Sequence, residues 1–156
     1  MKKIESIEYA TLVDEFADLS YIGTFDDKPK DKFAINHKER NGSRNCYEWF
    51  NPQPCTCENL EQSEQAYGRM MDHERGDWQP ISIRAIAHVR TSTDGISWQG
   101  HDIESPGLWG IESDSDKSYL DEVKCDQFRK LAESLREFGF SQTDLDDPAI
   151  TIINNV

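Results

Sequence analysis

Ile81-Ser82-Ile83-Arg84-Ala85-Ile86-Ala87-His88-Val89-Arg90 sets apolar residues at 81, 83, 85, 87 and 89 against Ser82, Arg84, Ile86, His88 and Arg90. Alternation over ten residues is the period of a half-buried β-strand, since successive side chains leave a strand on opposite faces. Downstream, Thr93-Asp94-Gly95-Ile96 reads as a hairpin turn, with Gly95 free to take positive φ. Ile96, Trp98 and Ile103 mark a returning strand, and Ser105-Pro106-Gly107 turns the chain into a third, Leu108 to Ile111. Residues 81 to 111 are therefore expected to form a three-stranded antiparallel meander.

Two helical stripes flank this stretch. From about 58 to 74, Leu60, Ala66, Tyr67, Met70 and Met71 share one face, and Gly76 stands at the stop. From 118 to 138, Tyr119 or Leu120, Val123, Phe128, Leu131, Leu135 and Phe138 make a second stripe, Ser118 and Asp121 match a capping pattern, and Gly139 ends it. Asp126 with Lys130 and Glu133 with Arg136 are helix-spaced ion pairs. Ile7, Tyr9, Thr11 and Val13 alternate as a strand, the reading favoured over the helical face that Tyr9, Leu12, Val13 and Phe16 also fit; Leu19 to Phe25 and Cys46 to Phe50 read as short extended pieces, and residues 149 to 153 suit an edge strand. The expected fold is α+β: one domain over 1–156, an antiparallel sheet built on the meander, and the two amphipathic helices on one face. At 156 residues the chain is long enough for a single core, which 16 aromatic residues help to fill.

Seventeen bases against 30 acids give a net charge of -13. Such a field opposes direct binding to nucleic acid or to an anionic membrane, so a basic partner is expected. No window is apolar enough to span a membrane, and the charged residues at positions 2, 3, 5 and 8 stand where a signal peptide needs an apolar run, so a cytoplasmic location is expected. Residues 101–156 alone carry a net -8, although the helix of 118–138 is nearly balanced. The excess lies in Asp102, Glu104, Glu112, Asp114 and Asp116, and in Asp144, Asp146 and Asp147. If these segments converge they form one negative patch, and that patch is the candidate partner-binding surface. Lys28 to Arg44 runs the other way, with a local charge of +4, and reads as a basic loop that either solvates or meets phosphate.

The signals for catalysis are sparse. No nucleophile elbow, phosphate loop, dinucleotide fingerprint or His-Glu-x-x-His is present, and Cys125 lies mid-helix without a neighbouring histidine. Glu112, Asp114 and Asp116, spaced by two, would project from one face of an extended chain and suit a hard cation, but the same acids suit a helix N-terminus. As a calcium loop, Asp114-x-Asp116-x-Ser118 lacks the glycine at its sixth position and the acid at its twelfth, where Tyr119 and Cys125 stand. A two-residue turn at Asp94-Gly95 would put His88 opposite His101, adding a histidine pair to a metal-dependent alternative. Cys46, Cys55, Cys57 and His37 lie near one another in sequence without zinc-site spacing. No cofactor is expected, and the chain reads as non-enzymatic. Exposed aromatics such as Trp49 or Trp78 offer a further route, through homo-oligomerisation.

Ile83-Arg84-Ala85-Ile86-Ala87-His88-Val89, followed by Gly107-Leu108-Trp109-Gly110-Ile111-Glu112-Ser113-Asp114-Ser115 and Tyr119-Leu120, resembles an uncharacterised family of small acidic proteins encoded by phages, plasmids and other mobile DNA. The resemblance covers roughly residues 75 to 140 and brings no known active site. It implies an accessory protein that binds host machinery, of the kind that blocks restriction, CRISPR or transcription complexes.

Overall fold

The computed structural model describes residues 1–42, 46–54 and 57–156. In chain order the elements are β1 (Lys2–Val13), β2 (Gly23–Asp26), β3 (Ile35–Asn36), α1 (His37–Asn41), β4 (Trp49–Pro52), α2 (Leu60–Arg75), β5 (Pro80–Thr91), β6 (Gln99–Glu104), β7 (Leu108–Glu112), α3 (Lys117–Glu137), α4 (Gln142–Leu145) and β8 (Thr151–Asn154). The fold is α+β, and its packing makes two compact units, residues 1–15 with 80–156 and residues 16–79.

In the first unit a five-stranded sheet runs β6-β5-β1-β8, with β7 also on β5. β1 pairs antiparallel with β5 along its whole length and parallel with β8. Ile4 and Ile7 are three residues apart and would face opposite ways on a regular strand. A bulge between Ile4 and Ser6 brings both to the core face, opposite Val89 and Ala87. That face is closed by Leu131, Ala132 and Leu135 of α3, with Phe140 and Leu145. Each fully buried leucine or isoleucine there contributes about 1.5–3 kcal/mol of transfer free energy.

The three strands of 80–112 are antiparallel, but the expected meander order is corrected: β7 pairs with β5, not with β6. β6 takes the Ile86–Thr91 half of β5 and β7 the Pro80–Ile83 end. Between them the Ser105 amide donates to the Ala85 carbonyl at 2.8 Å, so the chain stays beside β5 through the turn. The hairpin loop is also longer than two residues. The Asp94 carboxylate accepts the Ile96 and Ser97 amides, both at 2.8 Å, and the Ser92 hydroxyl at 3.0 Å. These bonds hold its pKa down to about 2 and spread the loop over Ser92–Trp98.

α3 ends as its glycine suggests: Gly139 has φ +82°, and the Phe140 amide returns to the Leu135 carbonyl at 3.0 Å. That reversal buries Phe140 and leaves Phe138 exposed, correcting the expected end of the stripe. Glu133 pairs with Arg129 at 3.1 Å and Arg136 bonds Gln142, whereas Asp126–Lys130 forms as expected.

The second unit, 16–79, carries the antiparallel sheet β2-β4-β3 with α2 packed on it. α2, expected beside the meander, belongs to this unit. Asn59 caps it and Gly76 ends it at φ +82°. Its core is Phe50, Trp78, Tyr67, Met70, Ile22 and Ile35. The basic stretch is not one loop: it contains β3 and α1, with the Asn36 side chain capping α1. Arg40 pairs with Glu64 at 2.6 Å, and Arg44 lies outside the described residues.

Candidate functional site

The junction from β7 into α3 joins a buried frame to an exposed surface. Ile111 packs with Ile81, Ile83 and Val123, and Leu120 closes over them, so both sides of the junction are anchored. Between them the chain reverses in one turn: the Ser115 amide and hydroxyl donate to the Glu112 carbonyl at 3.0 and 2.7 Å. Asp116 occupies the N-cap of α3 with no side-chain cap bond, its carboxylate favoured by the positive end of the helix. The capping pair expected from Ser118 and Asp121 is corrected. Both lie within α3, and Asp121 bonds Lys117 and Lys124 at 2.6 and 2.9 Å.

On this frame stand large apolar side chains in water: Leu108, Trp109 at 55% exposure, and Tyr119. Gly107 and Gly110, at φ +81° and +73°, bracket Leu108-Trp109. Left-handed residues on both sides break the regular alternation, so two consecutive side chains face solvent. The Gly107 amide is fixed by the Gln127 side-chain oxygen at 2.9 Å, from inside the protein. Trp49 and Trp78, expected as exposed aromatics, are not: Trp49 is half-buried, and Trp78 is buried with its indole N–H on the Arg69 carbonyl. The surface tryptophan is Trp109, which the sequence reading missed; the glycines on either side of Leu108-Trp109 are the signal that could have found it.

The eight candidate acids fall in three places. Asp102 bonds His88 Nδ1 at 2.7 Å and Glu104 pairs with Arg84 at 2.6 Å, both on the polar face of the sheet. Glu112, Asp114 and Asp116 stand at the N-terminal end of α3. Asp144, Asp146 and Asp147 follow its other end, about 30 Å away along a 21-residue helix. Asp144 is used in a capping box with Ser141, whose amide and hydroxyl hold its carboxyl below the ordinary range. Asp146 accepts from Gln142 and Asp147 from the Ala149 amide. The acids thus form separate clusters rather than one convergent patch, and those of the junction lie between Trp109 and Tyr119 along the chain.

The histidine pairing is corrected by one residue of register. His88 lies opposite Asp102, and His101 opposite Val89. This register puts Ile103 beside Ala87 and sends Asp102 and Glu104 to the polar face; the other would have placed both acids on the apolar one. His88 is gripped from both sides, with Nε2 on Glu8 at 3.1 Å, and its pKa is raised chiefly by the Asp102 bond. Glu112 sits opposite Pro80, eight residues along β5 from His88, a separation of roughly 27 Å. The set Glu112, Asp114, Asp116, His88 and His101 therefore does not come together. Among the described residues no group of three or more metal-ligating side chains converges. Of the cysteine set, Cys55 lies outside the described residues; Cys57 is buried, bonded to the Asn59 carbonyl, and His37 bonds the Tyr67 hydroxyl.

No family model, curated protein or solved structure matches the chain.

Proposed function

We propose that the protein is a non-enzymatic docking module that binds a basic protein through the β7–α3 junction. Trp109, with Leu108 and Tyr119, would supply the apolar anchor, and Glu112, Asp114 and Asp116 the acidic rim. The observation that carries this reading is Trp109 held in solvent between two left-handed glycines, on a strand that runs into an anchored turn carrying three acids. Tryptophan is the residue type most enriched among those whose loss costs an interface most. Rim acids mainly steer encounter, which is why a basic surface is the complementary occupant. A partner's nucleic-acid-binding surface has that chemistry, and the resemblance to small acidic proteins of mobile DNA supports the same choice. Blocking such a surface on host machinery is the activity this reading assigns.

The test begins with a partner identified by co-purification and proceeds to association kinetics. Replacing Glu112, Asp114 and Asp116 together by lysine should slow association and flatten its salt dependence. Trp109→Ala should instead speed dissociation, by about tenfold or more for a central anchor. Glu133→Gln, on the nearly balanced long helix, serves as the control and should change little. Affinity unchanged by both the triple reversal and Trp109→Ala would reject the proposal, as would direct binding of DNA or RNA at physiological salt.

A further inference from the structure

The second unit contains a cavity of about 790 Å³ whose lining includes Phe25, Asp27, His37, Tyr47, Met71, Glu74 and Arg75. That volume accommodates a small organic ligand. Its walls mix aromatic and thioether surface with two carboxylates. Asp27 and Glu74 make no ion pair among the described residues, whereas Arg75 is tied to Asp72 and Asp77. The last turn of α2 contributes Met71, Glu74 and Arg75, and the negative end of a 16-residue helix favours a positive charge there. His37 is 6% exposed; Phe25 packs on its ring at 4.7 Å, and Nδ1 bonds the Tyr67 hydroxyl at 3.0 Å. Burial lowers the imidazole pKa, against an opposing effect of Glu74, so the ring adds no positive charge at neutral pH.

We infer that this cavity binds a planar organic cation, its amidinium or guanidinium facing Asp27 and Glu74 and its flat body lying against Phe25 and Tyr47. The carboxylates supply charge-assisted hydrogen bonds, and the aromatic rings attract the cation by their quadrupole. The same chemistry is carried by a free aromatic amidine and by an arginine side chain. The inference is independent of the junction, since none of its residues lies between 107 and 120.

Benzamidine and N-acetylarginine amide are the two probes, with benzoate as the anion of matching shape. Binding is followed by NMR shifts of the His37 ring and the Met71 methyl, and by the melting temperature. Saturable binding of benzamidine, of the arginine amide, or of both is expected, and which of them binds separates a free ligand from a protein side chain. Glu74→Gln and Asp27→Asn, both at exposed positions, should each weaken binding about tenfold. Asp116→Asn should leave it unchanged. Absence of binding by either cation at millimolar concentration would overturn the inference. So would equal binding of benzoate, or affinities unaffected by both substitutions.

Discussion

Gln127 is a polar residue on the buried stripe of α3, and its replacement by methionine tests how the junction is held. The side chain is fully buried. Its Oε1 accepts the Ser105 hydroxyl at 2.8 Å and the Gly107 amide at 2.9 Å, while its Nε2 has no partner among the described residues. Ser105 Oγ in turn accepts the Ala85 amide at 2.9 Å, so one glutamine links helix, turn and central strand. Methionine keeps the volume and removes the acceptor. A buried donor left unpaired costs about 1–3 kcal/mol, and two donors lose their acceptor here. The Ser105 hydroxyl is free to rotate, which reduces its share, and loss of the unpaired Nε2 returns part of the cost. The expected net destabilisation is about 1–2 kcal/mol, read as a shift in the urea midpoint by circular dichroism. Amide exchange at Gly107 should accelerate about tenfold, with Ala85 following. A Gln127→Met protein as stable as the parent, with Gly107 exchange unchanged, would refute the assignment of Gln127 as the tie between α3 and the turn.

Two further outcomes follow from the geometry. His88 has a folded pKa raised above its unfolded value by Asp102 and Glu8, so its contribution is complete below about pH 6.5 and is lost as pH rises through the folded pKa. Because the site is partly open to solvent, the loss should not exceed about 1 kcal/mol, and Asp102→Asn should bring the His88 titration midpoint down in NMR. Gly23→Ala should destabilise the second unit by about 1–3 kcal/mol in urea unfolding, since a Cβ there would collide with the ring of buried Phe50 and lie 2.7 Å from the Asn51 carbonyl oxygen. An unchanged midpoint would mean that β2 and β4 are not packed this closely.

Much of the fold was legible because it rests on local periodicity. The alternation of 81–90 and of 7–13, the stripes of α2 and α3, and the glycines at 76 and 139 each follow from one element's own geometry. The acids of the junction were legible for the same reason. Trp109 lies in the same stretch of sequence, but its exposure depends on Gly107 and Gly110 both taking left-handed conformations. Short pieces such as β3, α1 and α4 escaped, because two to five residues carry too little periodic signal and are held by caps and neighbours.

What the sequence by itself determined is which stretches are strand or helix, and where charge accumulates along the chain. Tertiary structure alone decided the pairings. Asp94 takes two amides and lengthens a turn, and the register slips by one. A histidine pair then becomes a histidine between two carboxylates. It also kept apart, by the length of α3, two acidic segments whose charges could have converged. The physical reason is common to both. A period of two or 3.6 residues is a property of one segment, whereas register and separation depend on which residue of a distant segment completes its hydrogen bonds and covers its apolar face.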